Sequence, residues 1–228
     1  MTPNVSVAKF YASLPEEKRA KLLASYPATT QQALAYDWRF WGRPKQFAPE
    51  GKWSIWLFLA GRGAGKSRAG AEWVREEVES GRRRRIALVA PTSADVRDVM
   101  VKGVSGIMAC SPPCNEPEYM PSTRSLRWPN GAEAITFSAD EPDRLRGYNF
   151  DGAWLDELAS WRYLQEAWDN LLLCMRHGAD PRIVATTTPR PLPLIRALHK
   201  DPTCVVVKAS TFDNVDNLAP TFLSQIVT

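Results

Sequence analysis

Two short stretches, far apart in the chain, carry residue types suited to chemistry on a phosphate chain. Ala60 to Ser67 reads AGRGAGKS, and Gly152 to Glu157 reads GAWLDE. Glycine gives up more conformational freedom on folding than any other residue, so a cluster of them between an apolar run and a helix-like run needs a reason. A phosphate supplies one: Gly61, Gly63 and Gly65 let consecutive N–H groups turn inward around phosphate oxygens, and the positive end of the following helix adds to their field. The stretch fits the pattern GxxxxGK[ST], with Ala60 where the first glycine belongs. Gly61, Arg62, Gly63, Ala64, Gly65, Lys66 and Ser67 are the candidate phosphate-binding residues. Within them, Lys66 is assigned to the β- and γ-phosphates and Ser67 to Mg²⁺.

A site that breaks a phosphoanhydride also needs a carboxylate for the metal and a base for water. Asp156 and Glu157 end a hydrophobic run, which presents both at the carboxyl end of a strand, where ligands bind in open α/β sheets. Asp156 is read as acting on Mg²⁺ and Glu157 as aligning or deprotonating the attacking water. Taken singly, the first stretch is also a glycine turn with an incidental lysine, and the second a strand leaving the core. Together they predict an ATPase with ATP and Mg²⁺ as cofactors. The adjacent glutamate favours hydrolysis by the chain's own base over phosphate transfer by a kinase. Two other readings stay open, a helicase-like nucleic-acid translocase and a nucleotide-binding scaffold without turnover.

Around this pair the sequence offers helpers. Thr186, Thr187 and Thr188 close another apolar run, where hydroxyls can sense the γ-phosphate, although threonine also has ordinary strand propensity. Arginine is the usual partner for transition-state charge on a phosphoryl group. Arg62 suits the same chain's nucleotide and Arg146 a neighbour's, with Arg144 a third candidate; a surface salt bridge is the alternative for each. In RPKQF, Gln46 can hydrogen-bond an adenine edge and Arg43 can stack on its face.

The elements that must position these residues follow from hydrophobic patterning. Strands are expected at 53–60, 85–91, 133–139, 152–157, 182–189 and 204–210, several without a polar face, as in a parallel sheet covered on both sides. Helices are expected at 67–80, 94–109, 161–176 and 191–199. On the first of these, Gly70, Val74 and Val78 share one face, Glu72, Arg75, Glu76 and Glu79 lie largely elsewhere, and Gly81 terminates it. The alternation predicts an α/β fold with right-handed crossovers. Asn130-Gly131 adds an inserted hairpin. Upstream, Ser13 is read as the cap of a short helix containing Leu22 and Leu23. Residues 1–50 are expected to form a helical lead-in with the adenine segment, and 51–228 the nucleotide-binding domain.

With 44% hydrophobic and 24% charged residues the chain has the composition of a globular protein. The stretch Met1 to Phe10 lacks the cationic start and apolar core of a secretion signal, and no run is long enough to cross a bilayer. A net charge of +4 permits a polyanion partner without demanding one. The densest positive run, Arg82 to Arg85, is read first as a solvated loop and second as a contact for nucleic-acid phosphates. Cys110, Cys114, Cys174 and Cys204 form no recognisable disulfide or zinc framework with His177 and His199, so reduced, mostly buried thiols are expected. The tryptophans, scattered among strands and helices, are read as packing residues.

RPKQFAPEGKWSIWLFLAGRGAGKSRAGAEWVREEV, APTSADVRDVMV, RLRGYNFDGAWLDELASW and ATTTPRP, taken in order, resemble the ATPase half of the large terminase subunit of tailed bacteriophages, from about residue 35 to the end. The resemblance implies a RecA-like P-loop fold of the ASCE type and a motor that moves double-stranded DNA into a procapsid. It makes 60–67 similar to the Walker A motif, Asp156 and Glu157 to the Walker B aspartate and catalytic glutamate, and Thr186 to Pro189 to the coupling motif. Arg146 falls at the position of a trans-acting arginine finger, and Gln46 in the adenine-binding segment. Implied partners are the portal protein, the small terminase subunit and a ring of like subunits, five by resemblance, working without a membrane on the procapsid in the host bacterial cytoplasm. The carboxyl-terminal nuclease domain of full-length members is expected to be absent from this chain, and DNA cleavage with it.

Overall fold

A computed structural model describes residues 6–226, which fall into two compact units divided between Phe47 and Ala48. The first unit is helical: α1 (Val7–Ala12), α2 (Glu16–Ala24), α3 (Ala28–Leu34), α4 (Trp38–Trp41) and a 3₁₀ turn at Pro44–Gln46. Ser13 does not cap α2. It is the C-cap of α1, its hydroxyl donating to the Phe10 carbonyl at 2.7 Å, and Pro15 stands at the start of α2 with no side-chain cap. Proline serves there because its fixed φ suits a first turn whose N–H groups have no partner in the helix.

The second unit is one eight-stranded sheet in the order β3-β4-β5-β2-β6-β7-β1-β8. Its strands are β1 (Ile55–Ala60), β2 (Arg85–Ala90), β3 (Glu118–Met120), β4 (Ser125–Arg127), β5 (Glu133–Ser138), β6 (Gly152–Leu155), β7 (Arg182–Thr187) and β8 (Cys204–Ala209). From β5 to β8 every neighbouring pair is parallel, and β4 and β3 extend the β5 edge antiparallel. The hairpin joining β4 to β5 turns at Asn130-Gly131, with Gly131 at φ 82°. The helices are α5 (Lys66–Glu79), α6 (Ser93–Asp95), α7 (Ile107–Cys110), α8 (Leu164–Cys174), α9 (Pro193–Leu198) and α10 (Pro220–Ile226).

Both faces of the sheet are covered, which is why its central strands are apolar throughout. On one face Trp56, Phe58, Leu88, Trp154 and Val184 pack against Ala69, Trp73, Val74 and Val78 of α5. On the other, Leu57, Val89, Leu155 and Ala185 pack against Ala167, Trp168 and Leu171 of α8 and Leu194, Ile195 and Leu198 of α9. Each strand contributes alternate residues to the two layers, as the period of two requires. Of the nine tryptophans, all but Trp41 are buried.

The structure departs from the sequence reading, or adds to it, at three places. The helix expected at 94–109 is broken into α6, a π-helical segment at Val96–Val101, a turn and α7. Gly103 and Gly106 mark the break, since a Cβ at either would press on carbonyl oxygens of residues 98 to 101. The polar residues of α5 are not all solvated. Glu72 is fully buried, between Arg68 at 2.6 Å and Arg75 at 2.7 Å, and Arg75 also meets Glu79 at 2.9 Å. Nor is the arginine run uniform: Arg83 is buried, with Nη1 donating to the carbonyls of Asp151 at 2.8 Å and Asp180 at 2.6 Å, and only its neighbours are exposed. As for the thiols, Cys110 and Cys174 are buried and free, Cys204 is half-buried and Cys114 exposed. Among the described residues no helix is long and apolar enough to cross a membrane.

The packing of β6 on α5 yields a test. A Cβ at Gly70 would collide with the Trp154 ring. Gly70→Ala therefore lowers stability by about 2 kcal/mol in denaturant titration, overpacking outweighing the ~1 kcal/mol that helix propensity favours alanine.

Candidate active site

The sheet order puts β7 between β1 and β6, and the register fixes what meets at the carboxyl edge. Leu59 pairs with Thr187 and Leu155 with Ala185. The chain leaving β1 into the glycine loop, the chain leaving β6 into Asp156 and Glu157, and the end of β7 are thus side by side.

Between β1 and α5 the loop turns on Gly63 at φ 74° and Gly65 at φ 80°, conformations that glycine adopts without a Cβ penalty. Its outer side is fastened to the segment after β8: the Thr211 hydroxyl donates to the Arg62 carbonyl at 2.8 Å, and the Asn214 amide to that of Gly63 at 2.6 Å. A side chain at Gly61 would strike the Thr211 hydroxyl, and one at Gly63 the Leu218 side chain. The glycines therefore serve two needs, backbone conformation and close approach of this strap. Thr211 and Asn214 carried no signal in the sequence, because their contact depends on the β1–β8 pairing.

Lys66 is almost wholly buried, its ammonium 3.1 Å from Glu157 Oε1 and donating to the carbonyls of Ala60 at 3.2 Å and Gly61 at 3.3 Å and to Thr188 Oγ1 at 3.4 Å. Glu157 is held in the left-handed region, φ 47° and ψ 45°, where a non-glycine residue costs about 1–2 kcal/mol. The geometry is pinned by local bonds. Thr188 donates to Glu157 Oε2 from its N–H at 3.3 Å and its hydroxyl at 3.2 Å, while the N–H and hydroxyl of Ser160 donate to the Glu157 carbonyl at 2.8 and 2.7 Å.

Asp156 lies deeper. The Ser67 hydroxyl is 3.4 and 3.5 Å from its two carboxylate oxygens, and Thr186 Oγ1 donates to Oδ1 at 2.6 Å. Burial is the main cause that pushes this carboxyl up to about 6; the Glu157 charge adds to it, while Thr186, Lys66 and Ser67 favour the ionised form.

A cleft of about 700 Å³ opens over the loop, lined by Arg62, Gly65, Lys66, Ser67, Arg68 and Glu157 on one side. Asp98, Lys102 and Ser105, from the π-helical segment and the turn after it, form the other wall, which sequence reasoning missed. Arg144 and Arg146 are not among its lining residues. They sit between β5 and β6, exposed and paired within the chain, Arg144 to Glu141 at 3.2 Å and Arg146 to Asp143 at 3.0 Å. Arg43 and Gln46 belong to the helical unit, where Gln46 Oε1 accepts from the Arg43 N–H at 3.2 Å.

A sheet that interposes one strand between the glycine-loop strand and the acidic strand, with helices on both faces, is a RecA-like P-loop fold. Residues 57–222 match the family described as terminase large subunit, T4likevirus-type, N-terminal, and the chain belongs to that family. Among solved structures it is similar to the large terminase ATPase domain of Thermus phage P74-26, with 18% identity, a TM-score of 0.58 and coverage of 93% of this chain and 92% of that one. The large terminase of a thermophilic bacteriophage, solved with ADP, aligns at 14% identity and a TM-score of 0.60 over 86% of this chain and 48% of its own. That of bacteriophage HK97 aligns at 18% and 0.54 over 90% and 43%. At these identities the likeness is one of fold, and the chain spans about half the length of the last two proteins. No curated protein matches it.

The raised Asp156 value has a thermodynamic consequence. Since it lies above the ordinary 3.8, the folded chain takes up this proton more readily than the unfolded one. The stabilising effect is complete below about pH 4 and is lost as pH rises through about 6. Without divalent cations, Asp156→Asn is expected to be more stable than the parent by about 3 kcal/mol at about pH 8, with the gain vanishing towards about pH 4. Melting curves across that range check this; a gain independent of pH contradicts it.

Proposed function

We propose that this chain is the ATP-hydrolysing motor of a phage DNA-packaging assembly, coupling hydrolysis to translocation of double-stranded DNA into a procapsid. The observation that carries the reading is the meeting of two distant motifs at one point, Lys66 with Glu157 at 3.1 Å and Ser67 with Asp156 at 3.4 Å.

The residues present fit Mg²⁺. Two oxygens adjacent on one magnesium ion stand about 3 Å apart, given Mg–O distances of about 2.1 Å, and the ion usually takes one or two protein oxygens and keeps several waters. A serine hydroxyl and a single carboxylate, nearly that far apart, suit it. When bound, the ion screens the charge of the β- and γ-phosphates. The rest falls to the chain itself: the amides from Gly61 to Ser67 cradle the phosphates, Lys66 holds the β/γ bridge, and Glu157 orients the attacking water and accepts its proton. Arg62, exposed in the cleft, suits the same chain's nucleotide. Arg146, exposed and away from the cleft lining, suits a neighbour's, which makes turnover depend on a ring of like subunits and leaves a dilute single chain a poor enzyme. Arg43 and Gln46 are assigned to the adenine.

Partners in this reading are duplex DNA, the portal protein and the small terminase subunit, at the procapsid in the host cytoplasm. The large terminase of a thermophilic bacteriophage, of the same fold and solved with ADP, supports the nucleotide.

The test is Glu157→Gln. Steady-state ATP turnover is expected to fall at least about 100-fold, the scale of a lost general base, with affinity for the nucleotide retained within a few-fold. Turnover equal to the parent would remove the enzymatic reading.

A further inference from the structure

Thr186, Thr187 and Thr188 stand in one tract, and the family resemblance gives them one shared task. Their surroundings differ. Thr186 and Thr187 are fully buried, whereas Thr188 is half-buried and touches both Lys66 and Glu157. Of the three, Thr188 is the one that touches Lys66 and Glu157, which line the cleft.

Thr186 instead ends a buried chain of contacts running back to the phosphate-loop helix. Trp154 lies against α5 where Gly70 has no side chain, so the ring is fixed in place. Its Nε1–H donates to Thr186 Oγ1 at 3.2 Å, which leaves the single Thr186 hydrogen for the shorter bond, 2.6 Å to Asp156 Oδ1, over the Leu155 carbonyl at 3.1 Å. Thr187, pointing to the opposite face, accepts from the Ala159 N–H at 2.9 Å and steadies the turn after Glu157. The Trp161 indole donates to the Asp156 carbonyl at 3.0 Å, fixing the backbone from the other side.

Resting on the ATPase reading above, we propose that the tract divides its work: Thr186, oriented by Trp154, is a positioning residue that aims Asp156 at the metal position beside Ser67, while Thr188, the one hydroxyl of the three that meets their charged groups, positions the Glu157 carboxylate and the Lys66 ammonium. Metal affinity and turnover are then set by different hydroxyls two residues apart. Residues that orient a metal ligand without touching the metal typically change affinity about 10- to 100-fold when removed.

The experiment compares Thr186→Val, Thr186→Ser, Thr188→Val, Thr188→Ser and Trp154→Phe. One readout is binding of Mn²⁺ in the presence of saturating ADP, followed by electron paramagnetic resonance; the other is ATP turnover as a function of Mg²⁺ concentration. Thr186→Val is expected to weaken Mn²⁺ binding about 10-fold and to raise the Mg²⁺ concentration needed for half-maximal turnover by a similar factor. Thr188→Val is expected to leave Mn²⁺ affinity within about 2-fold and lower turnover about 10-fold or more. The serine variants restore each property, and Trp154→Phe follows Thr186→Val in the same direction with a smaller effect. Should Thr186→Val not fold, Trp154→Phe against Thr186→Ser decides the first half. Parent-like Mn²⁺ affinity in Thr186→Val and Trp154→Phe, or both valine variants altering the same parameter, overturns the division while the ATPase reading stands. A parent chain that neither takes up Mn²⁺ with ADP nor turns over ATP overturns both.

Discussion

The site depends on one topological constraint, the insertion of β7 between β1 and β6. That order fixes where the chain leaving β1 and the chain leaving β6 emerge relative to each other. With it, the spacing is two inter-strand steps of about 4.8 Å, and the gap is filled by the threonine tract. The Lys66–Glu157 contact of 3.1 Å and the Ser67–Asp156 contact of 3.4 Å are consequences of that order.

Keeping charged groups in place at this edge is costly, and the fold offsets the cost locally. An isolated buried ion loses several kcal/mol of hydration, so each has partners of matched geometry. Lys66 has a carboxylate, two carbonyls and a hydroxyl. Glu72 has two guanidinium groups on the helix that begins with Lys66. At the far end of the same sheet Arg83 and Asp151 staple the start of β2 to the start of β6, Asp151 accepting from the N–H groups of Arg84 at 2.8 Å and Arg85 at 3.0 Å.

Much of this was legible in the residues because parallel strands covered on both faces must be apolar throughout, and runs such as WLFLA and RIVATT stand out against their surroundings. The loop from Ala60 to Ser67 was legible because phosphate chemistry constrains both residue type and spacing. Other features were hidden for physical reasons. The three-residue β3 is too short to carry a period, and Ser13 caps a helix end rather than a start because Pro15 already opens the next helix. Periodicity on α5 gives no sign that Glu72 is buried; its burial goes with two arginines one turn away on either side. The separate positions of Thr186 and Thr188 follow from register, which no single strand reveals. Arg83 is one of four like residues in a row, and only the neighbouring Glu77, Asp151 and Asp180 distinguish it.

The most direct measurement is calorimetric titration with a slowly hydrolysed ATP analogue, with and without Mg²⁺, on the parent, Lys66→Ala and Asp156→Asn. A phosphate loop facing a metal-holding carboxylate predicts one nucleotide per chain, strengthened by Mg²⁺ in the parent, weakened at least about 10-fold in Lys66→Ala, and with its Mg²⁺ dependence lost in Asp156→Asn. Binding indifferent to both substitutions, or no uptake of nucleotide at all, would contradict the account.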